Sequence, residues 1–168
     1  RSAVVAVSPE GRLLVWSDGV LRAFDVGGAL SRLTSPVPVT LEGKGWDDLL
    51  AVAADGALVL IGSLPSGPRV VSRVEAHALP DSRITLGSMD GSAELQAVVL
   101  SDPTDRYPHG VLGDKIEASA VTVIAVAPNA LTIRFRYVVR APAVFEDLIA
   151  IMAPIGEGRR PAVVVVKS

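Results

Sequence analysis

Apolar residues in this chain come in runs of strand length, and turn-forming residues separate nearly every pair of them. The runs at 3–7, 12–16 and 20–26 are divided by Ser8-Pro9-Glu10-Gly11 and by Ser17-Asp18-Gly19. Pro at the second position and Gly at the fourth suit a type I turn, and Asp-Gly is a strong hairpin signal, so the chain is predicted to open as a three-strand meander. Gly27-Gly28 closes that unit, and 29–40, with prolines at 36 and 38, reads as a connection ending in a short edge strand. Further strands are predicted at 49–53, 57–61, 69–76, 84–86, 95–100, 121–126, 131–139, 148–152 and 162–166. Alanine-rich 47–54 and 144–152 would each also support about two helical turns. Both lie inside a phrase that recurs along the chain, and its copy at 95–100 is bounded by Gly91 and Pro103, which favours strand. No long helix is expected.

The recurring phrase is Gly43-Lys44-Gly45-Trp46-Asp47-Asp48-Leu49-Leu50-Ala51-Val52, then Gly87-Ser88-Met89-Asp90-Gly91-Ser92-Ala93-Glu94-Leu95-Gln96-Ala97-Val98, then Val144-Phe145-Glu146-Asp147-Leu148-Ile149-Ala150-Ile151. Aligned on the acid before the apolar run, Asp48, Glu94 and Asp147 recur at roughly 45 to 55 residues, the length of one four-stranded propeller blade. The expectation is an all-β, propeller-like repeat array of four-stranded antiparallel blades over 1–168, with blades near 1–40, 41–86, 87–142 and 143–168. Three to four blades barely close a ring. An open arc leaves an apolar flank at each end, so the array is expected to pair with a copy of itself or with the remainder of a larger propeller. The N-terminal strand is a candidate for the outer strand of the last blade.

Composition narrows the function classes. A chain of 168 residues that is 49% hydrophobic can bury a substantial core, and a net charge of -2 gives no reason to expect nucleic acid. Apolar runs are cut by Pro, Gly, Asp or Arg well before the roughly 18 to 20 residues that cross a bilayer, so no membrane span is expected. There is no cysteine, which excludes disulfide and thiolate chemistry. The start at Arg1-Ser2 fits a processed protein or a piece of a longer one.

With its glycines, small loop, acid and following apolar strand, the repeated phrase resembles the FG-GAP or VCBS repeat of integrin-like β-propellers. In that family a Gly-Asp-x-Asp-Gly-Asp-Gly-x-x-Asp-Leu loop precedes an inner strand, and in many members its aspartates hold calcium. The resemblance implies a binding module of bacterial, extracytoplasmic (periplasmic or secreted) type. The loops here depart from the pattern. Calcium takes six to eight oxygen ligands, whereas the first copy keeps only Asp47 and Asp48 around Lys44, and the third keeps Glu146 and Asp147. Asp90 and Glu94 of the second copy are the candidate ligands of a weak calcium ion. The alternative is that Asp48, Glu94 and Asp147 hydrogen-bond nearby backbone N–H groups in Asx-type turns.

The long stretch 102–118 holds one of the two histidines, one of the two tyrosines and six charged residues. An extended loop of that size in a compact domain is more often functional or disordered than incidental. Its Tyr107-Pro108-His109-Gly110-Val111-Leu112-Gly113-Asp114 wording is similar to that of uncharacterised bacterial proteins of the VCBS-like group. Asp105, Arg106, Tyr107, His109, Asp114 and Glu117 are the candidate ligand-binding residues. Read as an enzyme, His109 is general base or metal ligand with Asp105, Asp114 or Glu117 beside it. Read as structure, Tyr107 and His109 anchor the loop while Gly110 and Gly113 allow its bends. The other histidine, His77, has no spacing that suggests a joint metal site.

Other features are weaker. Gly43-Lys44-Gly45 opens no helix, so it lacks the N-terminus that gives a phosphate cradle its force. Trp16 and Trp46 offer sugar-stacking faces, but tryptophans beside strands more often pack between sheets. Arg134, Arg136 and Arg140 share one strand face, predicted to be solvated or, as a minority reading, to meet an acidic partner. The favoured function is a non-enzymatic binding module for a protein or a carbohydrate, using loops at the blade ends. A hydrolytic or metal-assisted enzyme and a structural assembly piece that completes a ring by oligomerisation are the alternatives.

Overall fold

The computed structural model describes residues 2–41, 47–88, 91, 93–101 and 118–140. Every strand or helix among them is a β-strand, and the eleven strands form three antiparallel sheets. Sheet 1 is a meander of β1 (Ala3–Val7), β2 (Leu13–Ser17) and β3 (Val20–Phe24). Sheet 2 runs β4 (Val37–Val39), β5 (Asp48–Val52), β6 (Leu58–Gly62) and β7 (Arg69–Val74). Sheet 3 runs β8 (Thr85–Gly87), β9 (Gln96–Ser101), β10 (Ala118–Ala127) and β11 (Ala130–Arg140). The predicted strands at 148–152 and 162–166 lie outside the described residues. No helix among the described residues is long and apolar enough to cross a membrane.

The turns follow the sequence chemistry. Asp18 and Gly19 both take positive φ (49° and 78°), the geometry a two-residue hairpin needs to match strand twist. Ser8 caps the next turn: its carbonyl accepts from Gly11 N–H, and its hydroxyl accepts from Glu10 and Arg12 N–H. At β4, Pro38 is exposed on an edge strand, the place in a sheet where a proline is tolerated.

Alternation of period two decides which core each side chain enters. Leu49, Ala51, Val59 and Ile61 of sheet 2 join Leu13, Val15, Val26 and Leu30 in one core. Leu50, Val52, Leu58 and Leu60 join Ala97, Val99, Ile124 and Val126 in the other. Sheet 2 is therefore the middle layer of a three-sheet stack, with sheet 1 on one face and sheet 3 on the other. This explains why β5 and β6 read as unbroken apolar runs and are buried at every position.

The stack is built by repetition. Pairs Val4↔Trp16 and Ala6↔Leu14 in sheet 1 are matched 45 residues later by Leu49↔Ile61 and Ala51↔Val59 in sheet 2. Between sheets 2 and 3 the shift is 48 residues: Val39↔Asp48 becomes Gly87↔Gln96, and Val37↔Leu50 becomes Thr85↔Val98. The connections obey the same rule. Leu30 N–H donates to Gly11 O and Leu30 bridges Ala53, while Ala78 N–H donates to Gly56 O and Ala78 bridges Ser101. Each sheet thus hands its outgoing chain to the next by the same backbone bonds.

That register corrects the alignment of the repeated phrase. The residue equivalent to Asp48 is Gln96, not Glu94, because both Asp48 and Gln96 open the second strand of a sheet opposite the last residue of the first. Both are buried, with 2% and 0% of their surface exposed. A slip of two residues keeps every side chain on its own face, so the apolar pattern is blind to it.

Candidate functional site

The end of the stack where β1, β5 and β9 finish carries three structurally equivalent excursions. In sheet 1 it is the Ser8 to Gly11 turn, and in sheet 2 it is Ala54-Asp55-Gly56, closed by Gly56 N–H donating to Ala53 O. In sheet 3 the chain leaves β9 at Ser101 and is paired again at Ala120, opposite Ser101, so 102–119 span the gap that three residues span in sheet 2. The 102–118 stretch is thus an insertion at a turn. Asp105, Arg106, Tyr107, His109, Asp114 and Glu117 themselves lie outside the described residues, as does Asp90.

The base of that insertion is a buried polar network. Ser101 and Thr122, both fully buried, share a hydroxyl hydrogen bond of 2.7 Å. Arg136 Nε donates to Thr122 Oγ1 at 3.1 Å, and its Nη2 donates to the carbonyls of Ala76 (3.1 Å) and Glu75 (3.2 Å). Arg136 therefore ties sheet 3 to the connection leaving sheet 2, which corrects the expectation of a solvated face at this one arginine, whereas Arg134 is exposed. Sequence missed it because the carbonyl partners come from a segment some sixty residues away. Arg134 sits in a β-bulge, where Val123 pairs with Phe135 and Ile124 with Ile133, and its guanidinium grips both carboxylate oxygens of Glu94. Glu94 thus already faces a positive charge. Arg140 ends β11, and its side chain lies outside the described residues.

Beside the first two turns lies an open cavity of about 290 Å³ between Pro9, Glu10, Gly11, the 29–33 connection, Ala54 and Pro80. Glu10 and Arg32 supply its charges, and the Ser8 hydroxyl holds the Glu10 carboxyl below its ordinary range. Ser31 Oγ closes its floor by donating to Pro80 O at 2.6 Å. On the adjoining turn, Arg73 bridges Asp55 at 2.5 Å and Glu75 at 3.1 Å. That contact lowers the Asp55 pKa and raises that of Arg73.

Two further expectations have a place. His77 lies exposed in the connection after β7 at φ 49°, and among the described residues no three His, Asp or Glu side chains cluster as metal ligands. Trp16 does not pack between sheets: it is 48% exposed on the outer face of sheet 1, where no described residue covers it. No family model matches the chain, and comparison with curated proteins and with solved structures gives no match.

Proposed function

We propose that this chain is a propeller-type, non-enzymatic binding module of the FG-GAP/VCBS kind, working outside the bacterial cytoplasm. It recognises a protein or a carbohydrate through loops at one end of its blades. The observation that carries the reading is the placement of the insertion. A rigid stack of repeated sheets presents equivalent turns at one end, and a long excursion that carries three Asp, one Arg, one Tyr and one His takes the place of one of them. Binding residues concentrate on loops positioned by a rigid scaffold. Supporting it are the 45- and 48-residue repeats of register and the buried Ser101–Thr122–Arg136 base that fixes where the excursion starts.

Loop exchange tests the proposal. Replacing 102–119 by Ala-Asp-Gly, the residues that span the same strand ends at 54–56, should leave the circular dichroism spectrum intact. It should also abolish binding to whichever oligosaccharides or proteins of an array the intact chain retains. Retained binding would contradict the proposal. So would turnover in a hydrolase screen that is lost in His109→Ala.

A further inference from the structure

Sheets 2 and 3 each begin with a three-residue strand, β4 and β8, paired antiparallel with the strand that follows. Sheet 1 has no counterpart among the described residues. The difference shows in burial. The 45-residue shift matches Ala3, Val5 and Val7 of β1 to Asp48, Leu50 and Val52 of β5, which are at most 2% exposed, whereas the three β1 residues are only half-buried. It shows again one layer down. Pro38 of β4 faces sheet 1, as its cross-strand partner Leu49 does, and it is exposed. Its counterpart Leu86 of β8 faces sheet 2 and packs against that core. A slot one strand wide therefore runs between the outer edge of β1 and Pro38.

The edge is ready to pair. Ser8 N–H donates to Arg12 O across the β1–β2 ladder, so antiparallel alternation points the N–H and C=O groups of Ala3, Val5 and Val7 away from β2. Sheet edges that stay free are ordinarily blunted by charge, proline or shortness. Here β3 carries Arg22, β7 carries Arg69 and Arg73, β11 carries Arg134 and Arg136, and β4 and β8 are three residues long. The β1 run Ala3-Val4-Val5-Ala6-Val7 has none of these devices.

We infer that this edge is a binding site for an extended segment of a partner protein, added antiparallel to β1 as a first strand of sheet 1. The site is separate from the loops of the proposed function. β4 defines what fits it. Val37 pairs with Leu50 and Val39 with Asp48, so the incoming residues opposite Val5 and Ala3 take the places of Val37 and Val39 and turn toward Pro38. Val39 is 2% exposed and Val37 packs against the core, so both positions call for β-branched apolar residues. A charge at either would be buried without a partner. The residue between them lies opposite Val4, which is 61% exposed, and tolerates any side chain. A second copy does not fit the slot. Its β1 would bring its own β5 into the layer where β4 already sits, and its other long edges carry the arginines just named.

The probe is a dye-labelled peptide with the sequence of residues 31–41, which is β4 with its lead-in. At millimolar concentration it should slow exchange of the Val5 amide of the full chain at least about tenfold, and change those of Val4 and Ala6, already in the β1–β2 ladder, far less. The same peptide with Asp in place of Val37 and Val39 should give no protection. Val5→Pro removes an N–H that makes no β1–β2 bond, so it should abolish the peptide's fluorescence anisotropy signal while circular dichroism is kept. A chain with residues 37–47 fused ahead of Ala3 fills the slot from within and should also refuse the peptide. An unchanged Val5 amide, equal protection by the Asp peptide, or binding retained by the fused chain would overturn the inference. So would a Val5 amide that in the chain alone is already as slow as Val4 and Ala6, or one that slows with chain concentration alongside a dimer mass. Loop exchange touches neither β1 nor β4, so the loop reading and this edge site fail by separate experiments.

Discussion

Single residues set the joints of the stack. Gly11 and Gly56 take φ of 80° and 86°, and a Cβ on either would stand 2.9 Å from the incoming connection, at Leu30 O or Ala78 O. Strain and collision add, so Gly11→Ala and Gly56→Ala should each lower stability by about 1–3 kcal/mol in urea unfolding. Gly19→Ala, with nothing near its Cβ, should cost less. A second residue-scale effect is electrostatic. Arg73 depresses the Asp55 pKa in the folded chain, so the pair stabilises above the unfolded carboxyl value of 3.8 and its contribution disappears as pH falls through the folded value. The side chains are 60% and 41% exposed, so solvent screens them. Asp55→Asn should cost no more than about 1 kcal/mol at neutral pH and less at pH 2 than at neutral pH, measured by thermal melts at both.

Elements show what the sequence pattern carries and where it stops. Strand positions, the Asp18-Gly19 hairpin and the edge character of β4 were legible, because turn chemistry and period-two alternation are local. Which of two cores a side chain enters was not. Leu49 and Leu50 are adjacent, equally apolar and equally buried, and only the neighbouring sheets separate them. The equivalence of Asp48 with Gln96 was hidden for the same reason, since a two-residue slip changes no face. Arg136 escaped because its acceptors lie on another sheet's connection. Leu50→Ala and Leu60→Ala, both fully buried, should each cost about 2–5 kcal/mol, whereas Leu21→Ala on the outer face of sheet 1 should cost markedly less. Arg136→Met removes the donors to Thr122 Oγ1 and to the Ala76 and Glu75 carbonyls and should cost about 1–2 kcal/mol, since Thr122 keeps its bond to Ser101 and the Glu75 carbonyl is exposed.

At the scale of the whole molecule, the place of the candidate site was only partly legible. The 102–118 stretch stands out in sequence by length and residue types, but its position at the end shared by the equivalent turns emerges only from the register of β9 and β10. The proposed role of that stretch in recognition depends on a rigid stack beneath it, and the stack depends on sheet 2 being enclosed on both faces. Native-state hydrogen exchange tests that enclosure most directly. The amides of Leu49–Val52 and Leu58–Ile61 should be the slowest in the chain, opening only with global unfolding, while those of β3 exchange faster. Exchange in β5 and β6 as fast as in β3 would show that sheet 2 is not the buried middle layer, and would contradict the stack and the display of loops built on it.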